Sequence, residues 1–335
     1  MEKVKRIGIS NFYIQLSVLV LLTIIVAFFS LSVGSVPTKI VDIVDILLGN
    51  STESYLDQIV LDIRLPRILF ALLIGGGLSI AGSVFQAILM NPLAEPYILG
   101  ISSGGTFGAV LSFILGLSFV MTQLFAFSGA IMVMFLVFYL GKRYGDLEPN
   151  TLLLSGVMVG AFFSAAILLM IIFLKDSLRT AVFWMVGSLT FVKSENLFFV
   201  ASLTIIIALF LTLNSYKYNI LSLGNESAKS LGINTDFLKN PTYFSASVLV
   251  GSLVSISGII GFVGLLVPHV CRLIWGIDNR IIVPASFFVG AIYLIITDTF
   301  ARIILSPAEL PVGAITALIG APVFIYLLRT RFKLN

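Results

Sequence analysis

Residues 214–240 read NSYKYNILSLGNESAKSLGINTDFLKN, the longest polar interval in the C-terminal two thirds of the chain. Lys217, Glu226, Lys229, Asp236 and Lys239 lie within it, and almost everything on either side is apolar. The interval is either a slack connector or a place where something soluble grips the protein, and local order separates the two. After Gly224, the run from Asn225 to Leu231 reads as a short helix that Asn225 caps and Gly232 ends. Ala228 and Leu231 supply an apolar strip, with Glu226 and Lys229 beside it at i,i+3 spacing. Such a compact knob suits a groove in a partner.

The flanks decide the fold class. Hydrophobic residues make up 59% of the chain and charged residues 11%, with a mean hydropathy of +1.11. Soluble chains carry roughly 25% charged residues, so a soluble domain is excluded. An apolar helix needs about 20 residues to cross about 30 Å of hydrocarbon. Hydropathy marks ten such segments, at 12–34, 66–90, 97–117, 120–140, 151–173, 196–213, 241–257, 259–275, 281–301 and 312–329. The expectation is an all-α, polytopic membrane protein with ten transmembrane helices in a single domain spanning 1–335. The run after Lys3, Lys5 and Arg6 is too long for a signal h-region and lacks an A-x-A site, so it is expected to be the first transmembrane helix.

Charge sets the orientation. With the N-terminus inside, 13 of the 20 basic residues fall on the inner side, which favours both termini in the cytoplasm. The same count places 214–240 in the cytoplasm. The net charge of +4 is divided among short loops and is no nucleic-acid footprint.

Several chemistries are missing. No G-x-x-x-x-G-K-[ST] phosphate loop occurs, so the chain is not itself a P-loop ATPase. The single Cys271 rules out an internal disulfide, and the single His269 rules out a histidine-rich metal site. Both read as packed residues. No cofactor, metal site or covalent chemistry is expected. Ionisable residues inside the spans are nearly confined to Asp298, four residues before Arg302 on the same helix face, a pair that reads either as a local structural bridge or as part of coupling or docking. An ion-coupled secondary transporter would carry more buried carboxylates.

Six ordered motifs then point to a family: RLPR (64–67), NPLAEP (91–96), LGISSG (99–104), LGNESAKSLG (223–232), GFVGLLVPHVCR (261–272) and AELPVG with GAPVF (308–324). From about residue 60 to residue 329 the chain resembles the FecCD-type, BtuC-like permeases. These are membrane subunits of ABC importers for iron–siderophores, haem and cobalamin. The resemblance implies the type II importer architecture in the inner membrane of a prokaryote, with a second permease copy forming a homodimer among the lipid. It also implies two cytoplasmic ABC ATPase subunits and an extracytoplasmic substrate-binding protein. Iron–siderophore is the first expectation for cargo, with haem or cobalamin behind it. Carried over by position, Arg64, Arg67 and Arg302 would dock the binding protein. The segment 221–232, with Leu221, Gly224 at the break, Glu226, Ala228, Leu231 and Gly232, would couple to the ATPase. A gate in the loop before the fifth span falls on Asn150 and Thr151, where proline and asparagine stand in place of small hydroxyl residues. The segment 181–190 would match a short outer helix.

Overall fold

Hydrocarbon offers no hydrogen bonds, so a chain this apolar must close its backbone bonds within helices. A computed structural model describes residues 9–332 apart from 35, 51–53, 144–145, 175–176 and 191. Lys3, Lys5, Arg6, Lys175 and Lys333 of the charge count lie outside the described residues, as do both termini.

Helix α1 (Ile9–Ser32) is followed by short helices α2 (Ile40–Leu47) and α3 (Ser54–Asp57). A π-helical stretch, Gln58–Arg64, then runs straight into α4 (Leu65–Ile88). Next come α5 (Ile101–Ile114), α6 (Phe119–Leu140), a minimal ribbon of β1 (Lys142–Arg143) and β2 (Asp146–Leu147), and α7 (Pro149–Ile171). The chain continues through α8 (Leu178–Val186), α9 (Leu197–Leu213), α10 (Ser215–Leu221), α11 (Asn225–Ser230) and α12 (Thr235–Ser257). It closes with α13 (Val263–Trp275), α14 (Asn279–Ile303) and α15 (Val312–Phe332). The fold is all-α apart from the ribbon.

Each of the ten hydropathy segments overlaps one of these helices, but the boundaries move. At 1.5 Å per residue, the 14 residues of α5 and the 13 of α13 reach only about 21 and 20 Å. Among the described residues, six helices are long and apolar enough to cross a bilayer. The seventh segment begins at Thr235, ahead of the Pro241 expected to open it, because the Asn234 side chain caps the amides of Asp236 and Phe237, both at 3.1 Å. The helix expected over 181–190 is Leu178–Val186, ending at Gly187.

Helix α4 is the axis. Nearly every side chain from Ile68 to Ile88 is buried, against α14, α12, α13 and α9. Close approach explains its small residues: a Cβ on Gly82 would lie 2.0 Å from the Gly264 carbonyl oxygen, and one on Gly75 2.3 Å from that of Gly290. The outer helices α1, α7 and α9 turn Leu21, Phe162, Leu168, Phe198 and Ile206 outward, toward lipid. His269 is buried with its ring edge-on to Phe324, and Cys271 is buried in the core, so both are packed as expected.

The break between α12 and α13 is held by loops from elsewhere. Gly258 and Phe262 have φ of +70° and +67°. The Phe262 amide donates to Glu95 Oε1 at 2.8 Å, and the Ile260 amide donates to the Tyr97 hydroxyl at 3.0 Å. That hydroxyl in turn donates to the Ile260 carbonyl at 2.6 Å. The Ser188 amide reaches the Ser257 carbonyl at 2.8 Å, and the Gly313 amide reaches the Gly187 carbonyl at 3.1 Å. Glu95 and Tyr97 and the residue after the end of α8 thus supply partners around the irregular backbone at 257–262, and the start of α15 bonds Gly187 beside it.

Gly82→Ala should lower stability by at least about 1–3 kcal/mol, because the opposing atom is backbone and cannot swing away. Gly261→Ala, with nothing within 4 Å of the added carbon, should leave the melting temperature in detergent unchanged. Equal melting temperatures for the two variants would contradict the packing.

Candidate functional site

Two polar assemblies stand out against the apolar body. One is the interval after α9; the other joins α1, α4 and α14.

Helix α10 opens the first assembly with Tyr218 and Leu221 buried. Gly224, at φ +99° and ψ 157°, turns the chain into α11 in a conformation that glycine adopts without strain. Asn225 is the first helical residue and makes no side-chain cap, which corrects the expectation that it caps α11. Gly232 (φ +82°) ends the motif, its amide bonded to the Lys229 carbonyl and the Ile233 amide to the Ala228 carbonyl, both at 3.0 Å. Ala228 faces inward at 0% exposure, so it does not share an outer strip with Leu231. The outward apolar side chains are instead Leu223 (63% exposed), Leu231 (62%) and Phe237 (82%), with Glu226 and Lys229 exposed among them. Leu223 and Phe237 escaped the sequence reading. The Asn234 cap was the signal that placed Phe237 in the first turn of a helix.

The second assembly gathers the three arginines. Arg67 donates to both oxygens of Asp298, at 2.9 to 3.1 Å, and through Nη1 to Glu309 Oε2 at 2.7 Å. Arg302 lies 3.3 Å from Asp298 on the same helix, as its spacing implies. It also donates to Ser30 Oγ at 2.8 Å and to the Val33 carbonyl at 3.1 Å. Arg64 donates to the Leu31 carbonyl at 2.7 Å, to Thr38 Oγ1 at 3.0 Å and to the Val36 carbonyl. All three guanidinium groups are buried. Arg64 and Arg302 satisfy carbonyls at and just beyond the end of α1, where a helix welcomes positive charge. Burial raises the Glu309 carboxyl, but Arg67 and the Thr190 hydroxyl, which donates at 3.0 Å, hold it below its ordinary value.

Asn150 and Thr151 stand in the first turn of α7. Glu148 caps that turn, accepting from the Asn150 amide at 3.3 Å, the Thr151 amide at 2.6 Å and the Thr151 hydroxyl. The hydroxyl of Thr151 is therefore engaged in a helix cap. Among the described residues, no group of three or more His, Cys, Asp or Glu could hold a metal ion.

Asp298→Ala would leave the guanidinium groups of Arg67 and Arg302 facing one another inside the protein. It should cost about 3–5 kcal/mol, read as a lower melting temperature in detergent. Thermal stability equal to the unsubstituted chain would contradict this arrangement.

Comparison with known proteins follows the same lines. The profile of the FecCD transport family matches residues 22–330. The molybdate import system permease protein MolB of Haemophilus influenzae is 37% identical over 317 residues, 91% of this chain and 92% of that relative. The iron(3+)-hydroxamate import system permease protein FhuG of Bacillus subtilis is 38% identical over 330 residues, 94% of this chain and 96% of that one. A solved structure described as an inward-facing conformation of a putative metal-chelate type ABC transporter superposes with a TM-score of 0.83 at 34% identity, covering 94% of this chain and 98% of its own. With the matched profile spanning most of the polytopic helical body, the chain belongs to the FecCD transport family.

Proposed function

We propose that the chain is the membrane-spanning permease subunit of a binding-protein-dependent ABC importer, moving an iron chelate across the cytoplasmic membrane. Two partner ATPase subunits drive it, and a second copy of the chain completes the translocation path. In this reading all ten helical segments cross the bilayer and both termini are cytoplasmic. An extracytoplasmic binding protein delivers the cargo. The observation that carries the reading is the ordered knob at 221–232. A chain without a phosphate loop presents, between Gly224 and Gly232, a bonded helical turn with Leu231 outward, and Leu223 just ahead of Gly224 is outward too. Helix-in-groove docking uses such a surface.

Iron chelates fit the family and the naming of FhuG; haem, cobalamin and oxyanions such as molybdate are the competing cargoes. An ion-coupled carrier is the weaker reading, because Asp298 is occupied by Arg67 and Arg302. The gate falls at Asn150 and Thr151, which stand in the first turn of α7 and not in the loop before it, where opening would break the Glu148 cap.

External docking falls on the outer face that Arg64, Arg67 and Arg302 organise. Their side chains are engaged internally, so an incoming carboxylate reaches Arg67 by displacing Glu309, the more exposed of its two partners. Glu309→Gln should therefore tighten association with the binding protein several-fold at low salt, measured as Kd on the reconstituted complex. Unchanged or weaker binding would count against that route.

Coupling is tested with the double variant Glu226→Ala and Leu231→Asp in proteoliposomes holding the complete transporter. ATP-driven uptake, assayed with labelled ferric hydroxamate, haem, cobalamin and molybdate, should fall at least tenfold while binding-protein association is retained. Full uptake in the double variant, or uptake by the unsubstituted protein without ATP, would overturn the reading.

A further inference from the structure

Helix α10 leads into the knob, and two adjacent side chains on it reach two different helices. The Tyr218 hydroxyl lies 3.1 Å from Thr242 Oγ1, inside α12. Asn219 uses both ends of its amide on the start of α14. Its Nδ2 donates to Asp278 Oδ1 at 2.7 Å, and its Oδ1 accepts from the Asn279 amide at 2.8 Å. The first amides of a helix have no partner within it, and here one of them is satisfied by a residue about sixty positions earlier.

Asp278 is the natural cap of α14 and a hub. It accepts from the Arg280 amide at 3.0 Å and from the Arg280 guanidinium at 2.6 to 3.1 Å, besides Asn219. Burial raises this carboxyl, but the bonds from Arg280 and Asn219 hold it below its ordinary value, so it stays charged. From this hub α14 runs 25 residues, about 37 Å at 1.5 Å per residue, to its other end. There Asp298 and Arg302 join Arg67, Glu309 and the end of α1. One helix therefore connects the knob-bearing segment to the arginine assembly. The knob itself turns on Gly224 and Gly232, neither with a neighbour within 4 Å of the place a side chain would occupy.

We propose that Asn219 is the positioning residue that passes movement of the knob into α14, and through it to the arginine assembly on the opposite face. The proposal rests on the reading of 221–232 as the place where the ATPase acts. Asparagine suits the role because it donates and accepts at once. Aspartate would set two carboxylates 2.7 Å apart at the Asp278 contact. The exchanged pair, Asn219→Asp with Asp278→Asn, rebuilds both links between α10 and α14: residue 219 accepts from the Asn279 amide and from Nδ2 of residue 278, at the loss of the Arg280 amide bond to the former Oδ1.

The test uses the chain co-purified with its ATPase subunit and follows hydrogen exchange of the loop 304–311, where the Leu310 amide bonds the Ala301 carbonyl at 3.0 Å. In the unsubstituted complex, trapping with ATP and vanadate should change exchange in this loop at least threefold. Asn219→Asp should abolish that change while the ATPase remains bound, and the exchanged pair should restore it. A full change in Asn219→Asp, or no restoration in the exchanged pair, overturns the proposal. So does an unresponsive loop in the unsubstituted complex, or loss of the ATPase from Asn219→Asp. Failure of the unsubstituted chain to hold any ATPase overturns instead the reading on which the proposal rests.

Discussion

Backbone groups in hydrocarbon have only one another to bond, and the most demanding part of this structure is where helices stop short. Between α12 and α13 the chain leaves helical geometry from Gly258 to Phe262. Glu95 and Tyr97 supply side-chain partners for it, and Ser188 supplies a backbone amide. The Glu95 and Tyr97 contacts tie together segments more than 160 residues apart in sequence. They make the interrupted helices one packed body around α4, and they explain why so many of the family motifs fall at helix ends.

Given that body, polarity concentrates at the two ends of α14. At one end three arginines, two carboxylates and the end of α1 close a mutually paired assembly. At the other end, α10 and α14 share the Asn219 amide beside an exposed knob. Burial makes the first assembly a stabilising joint, because all three of its guanidinium groups are engaged within the chain. The knob is the reverse. Its apolar side chains Leu223 and Leu231 are exposed, and an exposed apolar surface of that kind fits a partner.

Much of this was legible in the chain. Runs of apolar residues located the long apolar helices, since length and hydropathy are local properties. The knob helix and its glycine ends were legible for the same reason. Its facing was not: Ala228 turns inward because of what α10 and α12 do around it, and no local pattern carries that. The i,i+4 spacing of Asp298 and Arg302 announced their contact, but Arg67 joins Asp298 across 231 positions and no spacing rule reaches so far. Pro241 looked like a boundary because proline often opens a helix, whereas the Asn234 cap starts α12 earlier and the proline is accommodated inside it. The link through Asn219 was invisible for the same reason as Arg67: it is made between distant segments.

The central claim is that the knob seats in an ATPase. The most direct measurement is the reactivity of a Leu231→Cys variant toward a polar maleimide, with and without the co-purified ATPase, since the native Cys271 is buried. Strong protection by the ATPase, together with a cross-link from residue 231 to that subunit, is the result expected. Full reactivity with the ATPase bound would contradict it.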